Sequence, residues 1–397
     1  MASERDGAPG ASGVGDVLRT IRDHGPMTRA DVALRSGLGR STVALRLEAL
    51  AARGLIRPAE ERSSTGGRPA STFEFNPDAG VVLAIELAAT QSHLALCDLG
   101  GQVLVSADVQ IAIASGPDAV LAEVERVGRE LLSAGRRDER PLAVGIGVPG
   151  PVELATGRPV SPPIMPGWDG CDIAGRLEAA FGAPVLVDNG VNLMALAEHA
   201  AHWREVDNLL FLKAGTGIGC AIVSEGRIFR GSQGAAGEIG HIAVRGHDDL
   251  CLCGNVGCLE AVVGTVALVR EANARGLAIE APRELVELVK RHDPTAVALA
   301  RESGRVVGEV LAGLVNALNP SVVVLGGELA TAEPFSAGLR ELVYQRAAPL
   351  ATQHLQIASS VLGDRAGSRG AALTAIEHVL DPRTLDAALS ASAAQLS

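Results

Sequence analysis

The sequence predicts an α/β chain in two unequal parts: a small N-terminal winged helix-turn-helix and a larger body of mixed sheets flanked by helices. Three observations carry that prediction. Residues 14–76 hold three short helical patterns broken by glycine turns, followed by a strand, a Gly-rich loop and a second strand. Beyond residue 80, hairpin-like strand pairs give way to strands alternating with helices. The 397 residues are 47% hydrophobic and 20% charged, which suits two or three cored domains and excludes a largely disordered chain.

Residues 1–13, "MASERDGAPGASG", are small and polar and read as a disordered tail without the basic start and apolar stretch of a secretory signal. No apolar run approaches the roughly 18–20 residues that cross a bilayer. The expected location is therefore the cytoplasm of a prokaryote, with no membrane partner. "VGDVLRTIRDHG" then sets Val14, Val17, Leu18 and Ile21 at helical spacing. In "MTRADVALRSG", Thr28 is the expected N-cap and Gly37 the expected stop. "RSTVALRLEALAARGLI" puts Val43, Leu47 and Leu50 on one face and leaves Ser41, Thr42 and Arg46 on another.

Two short helices, a Gly turn and a third amphipathic helix form the helix-turn-helix pattern, although a three-helix protein-interaction module shares that outline. Short polar side chains open the third helix behind Arg40, and Arg46 is able to fork onto a guanine, which favours DNA. "GLIRPAEERSSTGGRPASTFEF" reads as strand, loop, strand: a wing. Its "GGRP" presents Arg68 in a way that suits a narrow minor groove, though a Gly-rich loop without contacts would look the same. The net charge of −11 is not uniform, because Arg29 to Arg68 holds eight arginines against four acids, a balance of +4. The candidate DNA contacts are Arg40, Ser41, Thr42, Arg46 and Arg68.

In the body, "NPDAG" at 76–80 is a turn or linker, "VVLAIEL" and "HLALCDL" are strands, and "GG" at 100–101 turns into the strand "QVLVSADVQ". A helix follows near 117–135, then a strand in "PLAVGIGVPG". The strands "APVLVD" and "NLLFLKAG" flank the helix "NLMALAEHAA", and "VVGEVLAGLVNALNP" is a helix running into the strand "SVVVLGG". The ending "DPRTLDAALSASAAQLS" reads as a frayed helix or a tail. Within it all, "HIAVRGHDDLCLCGNVGCLE" at 241–260 packs Cys251, Cys253 and Cys258 into eight positions. Three thiolates and one histidine, His241 or His247, make a Cys3His set suited to tetrahedral zinc. Four protein ligands leave no open position, so such an ion holds a shape rather than doing chemistry. Cys97, Cys171 and Cys220 sit in apolar segments and read as ordinary buried thiols.

The segment "GAAGEIGHIAVRGHDDLCLCGNVGCLEAV" matches G-E-x-G-H followed by C-x-C-G-x-x-G-C-x-E, and through it nearly the whole chain resembles the ROK family of repressors, open reading frames and sugar kinases. The resemblance implies a two-lobed actin-like (ribonuclease H-like, ASKHA) sugar-kinase fold behind the winged helix. The implied lobes are 81–195 with about 368–397, and 196–367 with the zinc site. It selects His241 as the histidine ligand of one structural Zn2+ per chain, and implies that Asn189, Glu238, His241 and Glu260 face a bound sugar.

The resemblance also marks what has changed. The family's base is the aspartate of N-D-x-N; here "VLVDNGVN" keeps Asn189 and Asn192 but places Gly190 at that position, with Asp188 a poor substitute. The phosphate loop D-x-G-G-T appears as "ELAAT", with Glu86, Ala88 and Ala89. "GTGIG" at 215–219 and "GG" at 326–327 survive, and turns alone would retain them. The expected function is thus a DNA-binding transcriptional regulator, a repressor by resemblance, with no catalytic residues and a kinase-like body that senses a sugar. One helix-turn-helix covers half a site, so a homodimer or tetramer on a pseudo-palindromic operator is expected. Two alternatives are an active ATP-dependent sugar kinase with an added DNA-binding domain, and a regulator whose ligand is a phosphosugar, another metabolite or absent.

Overall fold

The structure, a computed structural model, describes residues 13–59, 71–135 and 140–387. The expected tail therefore lies outside the described residues except for Gly13, and Arg68 with most of the wing loop lies outside them too.

The N-terminal module comprises α1 (Val14–His24), β1 (Met27–Thr28), α2 (Arg29–Ser36), α3 (Arg40–Ala52), β2 (Ile56–Pro58) and β3 (Thr72–Phe75). Thr28 caps α2 as its spacing predicts: the side chain accepts from the Asp31 N–H, while the Asp31 carboxylate accepts from the Thr28 N–H at 2.9 Å. Gly37 ends that helix in the left-handed region at φ 69°. Val17, Leu18, Ile21, Val32, Val43, Leu47 and Leu50 are all buried, and β1 and β2 pair antiparallel on either side of β3.

The body follows in chain order. It begins with β4 (Val81–Glu86), β5 (Gln91–Asp98), β6 (Val103–Gln110), α4 (Pro117–Ala134), β7 (Val144–Val148), α5 (Ile173–Phe181), β8 (Val185–Asn189) and α6 (Gly190–His202). Then come β9 (Leu209–Ala214), β10 (Ile218–Ser224), β11 (Arg227–Phe229), α7 (Leu259–Val263), α8 (Thr265–Ala274), α9 (Pro282–Lys290) and α10 (Pro294–Leu318). The chain closes with β12 (Val322–Gly326), α11 (Glu333–Arg346), α12 (Pro349–Thr352), β13 (Gln356–Ser359) and α13 (Ala366–Leu380).

Two five-stranded sheets result, ordered β6-β5-β4-β7-β8 and β11-β10-β9-β12-β13. In each, three consecutive strands pair antiparallel and the next two join parallel on the other side of the first. The second lobe thus repeats the topology of the first. The all-apolar runs of β7 and β12, buried along their whole length, are what strands covered on both faces require. No helix among the described residues is long and apolar enough to cross a membrane.

The winged helix is not a loosely tethered module. Its core is continuous with one face of the first sheet through α13: Val17 and Ile21 share a buried cluster with Val82, Ala95, Ile376, Leu380 and Leu385. The Arg22 guanidinium pairs with Glu377 on α13 at 3.0 Å, and the Gly15 N–H donates to Asp386 at 3.0 Å. Gly15 is required there, since a Cβ would lie 2.3 Å from the Cα of Pro382. Residues 382–387 are therefore a docked helical turn, with Leu385 buried, where the sequence suggested a frayed helix or a tail.

Candidate functional site

A cleft between the lobes is lined from the first lobe by Gly150, Asn189 and Asn192, and from the second by Lys213, Gly219, Glu238, His241 and Glu260. The four residues that the sequence proposes for a sugar thus meet in one place. Each is positioned by a local device. Glu260 opens α7, and one of its oxygens accepts from the Ile218 N–H at 3.2 Å. Gly217 makes that approach feasible, because a Cβ would lie 2.6 Å from the Glu260 carboxylate. Burial pushes the Glu238 carboxyl above the usual carboxylate range, His241 opposes this, and the negative charge of Glu260 adds to it. Asn189 caps α6 by accepting from the Val191 N–H at 2.7 Å and donates to the Gly150 carbonyl at 3.0 Å. Much of its capacity is therefore structural, with one amide hydrogen and one lone pair left for a ligand.

His241 also belongs to the metal candidate. His241, Cys251, Cys253 and Cys258 each offer one ligand atom, all within 4.8 Å of one another. The separations Cys251 Sγ to His241 Nδ1 and Cys253 Sγ to Cys258 Sγ are both 3.7 Å. A tetrahedron with metal–sulfur bonds of about 2.3 Å has edges of about 3.8 Å, so the four groups fit such an ion. His247 is not in the cluster; its Nδ1 faces Asp249 at 3.7 Å. Gly254, at φ 90°, turns the chain between the cysteines, and Gly257, at φ 72°, leaves room for the His247 carbonyl, which a Cβ would meet at 2.6 Å.

Two residues absent from the sequence reading shape the cleft. Arg230 reaches Asp188 with two donors, at 2.6 and 3.1 Å, tying the second lobe to the end of β8. The other Asp188 oxygen accepts from Asn189 N–H and the Asn192 amide at 2.7 and 3.0 Å. Asp188 is thereby fully engaged, while Gly190 offers no acid. A Cβ at Gly190 would meet nothing nearer than the Val148 carbonyl at 3.5 Å, so packing does not demand glycine there. Lys213 stands at the junction with a second half of the cleft, where Glu86, Ala88, Ala89, Gly326, Gly327 and Asp364 line the wall. Burial holds its ammonium pKa below the lysine range, with Glu86 and Glu260 opposing. Neither residue lies in a recognisable motif; only the three-dimensional pairing reveals them.

In that second half, Glu86 is buried and accepts from the Ser368 N–H at the start of α13 at 3.1 Å. Burial raises its carboxyl to about 7 against the pull of Lys213 and that N–H. Gly367 lets it lie there, since a Cβ would fall 2.2 Å from the carboxyl carbon. The surviving glycines have packing reasons of their own. A Cβ on Gly326 would meet the Phe211 ring at 2.5 Å, and one on Gly327 the Ala214 carbonyl at 2.3 Å.

The proposed DNA-facing residues lie on or beside α3. Arg40 and Ser41 are exposed and Thr42 is half-buried. Arg46, expected on the outer face, is instead half-buried and donates to the Gly13 carbonyl at 3.2 Å, because its position falls toward the start of α1. The outward position one residue earlier is Leu45, 68% exposed, four residues after Ser41 on the same helix face. That spacing away from Val43, Leu47 and Leu50 is the signal that would have found it.

The ROK family profile matches residues 82–378, and a profile for winged helix-turn-helix DNA-binding domains matches residues 15–57. The xylose repressor of Caldicellulosiruptor bescii is 28% identical over 380 residues, covering 92% of this chain and 95% of that protein. A solved ROK family transcriptional regulator, a homolog of the E. coli MLC protein, superposes with a TM-score of 0.81 at 26% identity over 95% of this chain and 98% of that one. The ROK hexokinase from Thermus thermophilus gives 0.63 at 33% identity over 76% of this chain and 99% of that one.

Proposed function

This chain belongs to the ROK family, and on that premise we propose that it is a DNA-binding transcriptional repressor whose kinase-derived body reports a sugar to its winged helix. One observation carries the reading: the winged helix and the first lobe share a single core through α13, so a change in lobe arrangement has a packed route to the DNA-binding surface. The domains are residues 14–76 for DNA, 81–195 with about 368–397 for the first lobe, and 196–367 for the second.

On DNA, Arg40, Ser41 and Thr42 meet base edges and phosphates from the start of α3, with Arg68 in the adjacent minor groove. Leu45 is placed to touch a thymine methyl. Arg46 joins them only by giving up its bond to Gly13. Homodimers on a pseudo-palindrome supply the two half-sites.

In the body, Asn189, Glu238 and Glu260 accept and donate to sugar hydroxyls. His241 binds one structural Zn2+ through Nδ1, which leaves Nε2 for the ligand. Zinc here orders the loop that carries Glu260; it activates nothing. With Gly190 at the base position and Asp188 held by Arg230, the body binds without phosphorylating.

The test is fluorescence anisotropy of the full, zinc-loaded chain on DNA from upstream of its own gene, at stated salt, with random-sequence competitor. A panel of pentoses, hexoses and amino sugars, starting with xylose, is added. Specific binding weakened by one sugar is the expected result. Equal affinity for operator and random DNA removes the regulator reading. Sugar-dependent ADP release abolished by Asp188→Ala would make the protein a kinase instead.

A further inference from the structure

We propose that the first lobe carries a second ligand site, for a small anion with an apolar body, in the cavity between β5, α6 and α13. The cavity, of about 410 Å³, shares no lining residue with the half of the cleft that holds Glu238 and Glu260, and meets the other half only at His93 and Arg365. It is therefore independent of the sugar reading.

Regular spacing explains why space remains there. Ala95 and Cys97 are alternate residues of β5 and face the same side. Ala197, Ala200 and Ala201 lie on one face of α6, and Ala372 opposes them from α13. Methyl groups at these positions leave the two helices and the strand unable to close the gap, and they give it an apolar floor.

The rim has the opposite character. Arg204, Arg365 and Arg369 line the cavity, and no Asp or Glu does. Arg365 is neutralised by two bonds to Asp108, at 2.8 and 3.0 Å. Arg204 and Arg369 form no ion pair among the described residues, so two uncompensated guanidinium groups converge on one cavity of a chain whose net charge is −11. His93 completes the wall; it is 8% exposed, and its Nδ1 is buried without a hydrogen-bond partner. A buried, unpartnered ring nitrogen is costly unless something satisfies it. An anionic head between the two arginines, beside His93, with its apolar part on the alanine floor, answers all three features. Because α13 forms one wall and pairs with the winged helix through Glu377 and Arg22, an occupant here bears on the DNA-binding module.

The test uses the full, zinc-loaded chain and calorimetric titration with two probes, phenyl phosphate and octanoate. At least one binds with a dissociation constant below about 1 mM, and the uncharged analogues phenol and octanol bind at least about tenfold more weakly. Arg204→Glu combined with Arg369→Glu, both exposed and outside the core, weakens the charged probe at least about tenfold. Ala200→Phe, which fills the floor, does the same, while Glu260→Gln in the other cleft leaves it unchanged. No heat from either probe up to about 10 mM, or undiminished binding by the arginine variant, overturns the proposal.

Discussion

The two halves of the interlobe cleft share Lys213 and Thr216 as a common wall but are furnished in opposite ways. On one side Glu238, Glu260 and His241 converge on open space, and His241 also belongs to a cluster able to hold a metal ion. On the other side the protein has turned inward. Methyl groups of Ala88 and Ala89 line the loop after β4, and the Glu86 carboxylate occupies the start of α13, where an incoming anion would otherwise find N–H donors. Polar groups held toward space are useful for recognition, whereas the Ser368 N–H, already bonded to the chain's own Glu86, is not free for a phosphate. The difference is that of polar groups held open toward solvent beside a half whose buried carboxyl is turned onto the chain's own helix.

The sharpest way to break the contrast is to remove the metal support from one half only. Cys258→Ser lowers zinc content well below one per chain and abolishes sugar binding, while the loop around Glu86 is unaltered. Structural zinc sites contribute about 10–16 kcal/mol of apparent binding energy in small zinc peptides, so this is the largest effect expected. Metal analysis and calorimetry check it, and a full zinc equivalent in the variant would show the ligand set to be wrong.

The other half is probed by pH. The Glu86 carboxyl titrates near 7 in the folded chain against 4.5 ordinarily, so between those values the folded state holds a proton that the unfolded state has lost. Its contribution is complete below about pH 4.5 and declines as pH rises through about 7, by up to about 3 kcal/mol. Glu86→Gln removes that slope. Urea midpoints of both proteins at pH 5 and pH 7.5 measure it, and parallel shifts would show that Glu86 is not the group responsible.

Arg230→Ala sharpens the comparison at the sugar side by cutting the tie between lobes, at a cost of about 1–3 kcal/mol because Asp188 keeps its other partners. Faster amide exchange at residues 187–192 is the expected sign, and unchanged protection there would mean that the tie does not hold the lobes. The smallest effect belongs to Gly190→Asp. With no atom nearer than 3.5 Å to a new Cβ, it shifts stability by no more than about 1 kcal/mol. ADP assays with the sugar panel remain negative; turnover would mean that Gly190 alone separates this chain from a kinase.

Legibility in the sequence followed distance along the chain. Thr28, Gly37 and the buried stripe Val43, Leu47, Leu50 behaved as their spacing predicts, because caps and helix faces are set within one or two turns. The cysteine cluster was legible for the same reason: its three thiols fall within eight residues. Arg46 shows the limit, since which flank of α3 covers α1 depends on how two helices pack, not on the periodicity of one.

By itself, then, the sequence determined the winged helix, the alternating body, the close spacing of three cysteines and a glycine at position 190. Only the tertiary structure decided that the second sheet repeats the first, that Arg230 crosses 42 positions to occupy Asp188, and that α13 carries the winged helix on the same core as the first lobe. It also decided that alanines on α6 and α13 leave a basic cavity between them. These features come from pairings between distant segments, and a local pattern specifies which face of an element is apolar without specifying which other face it meets.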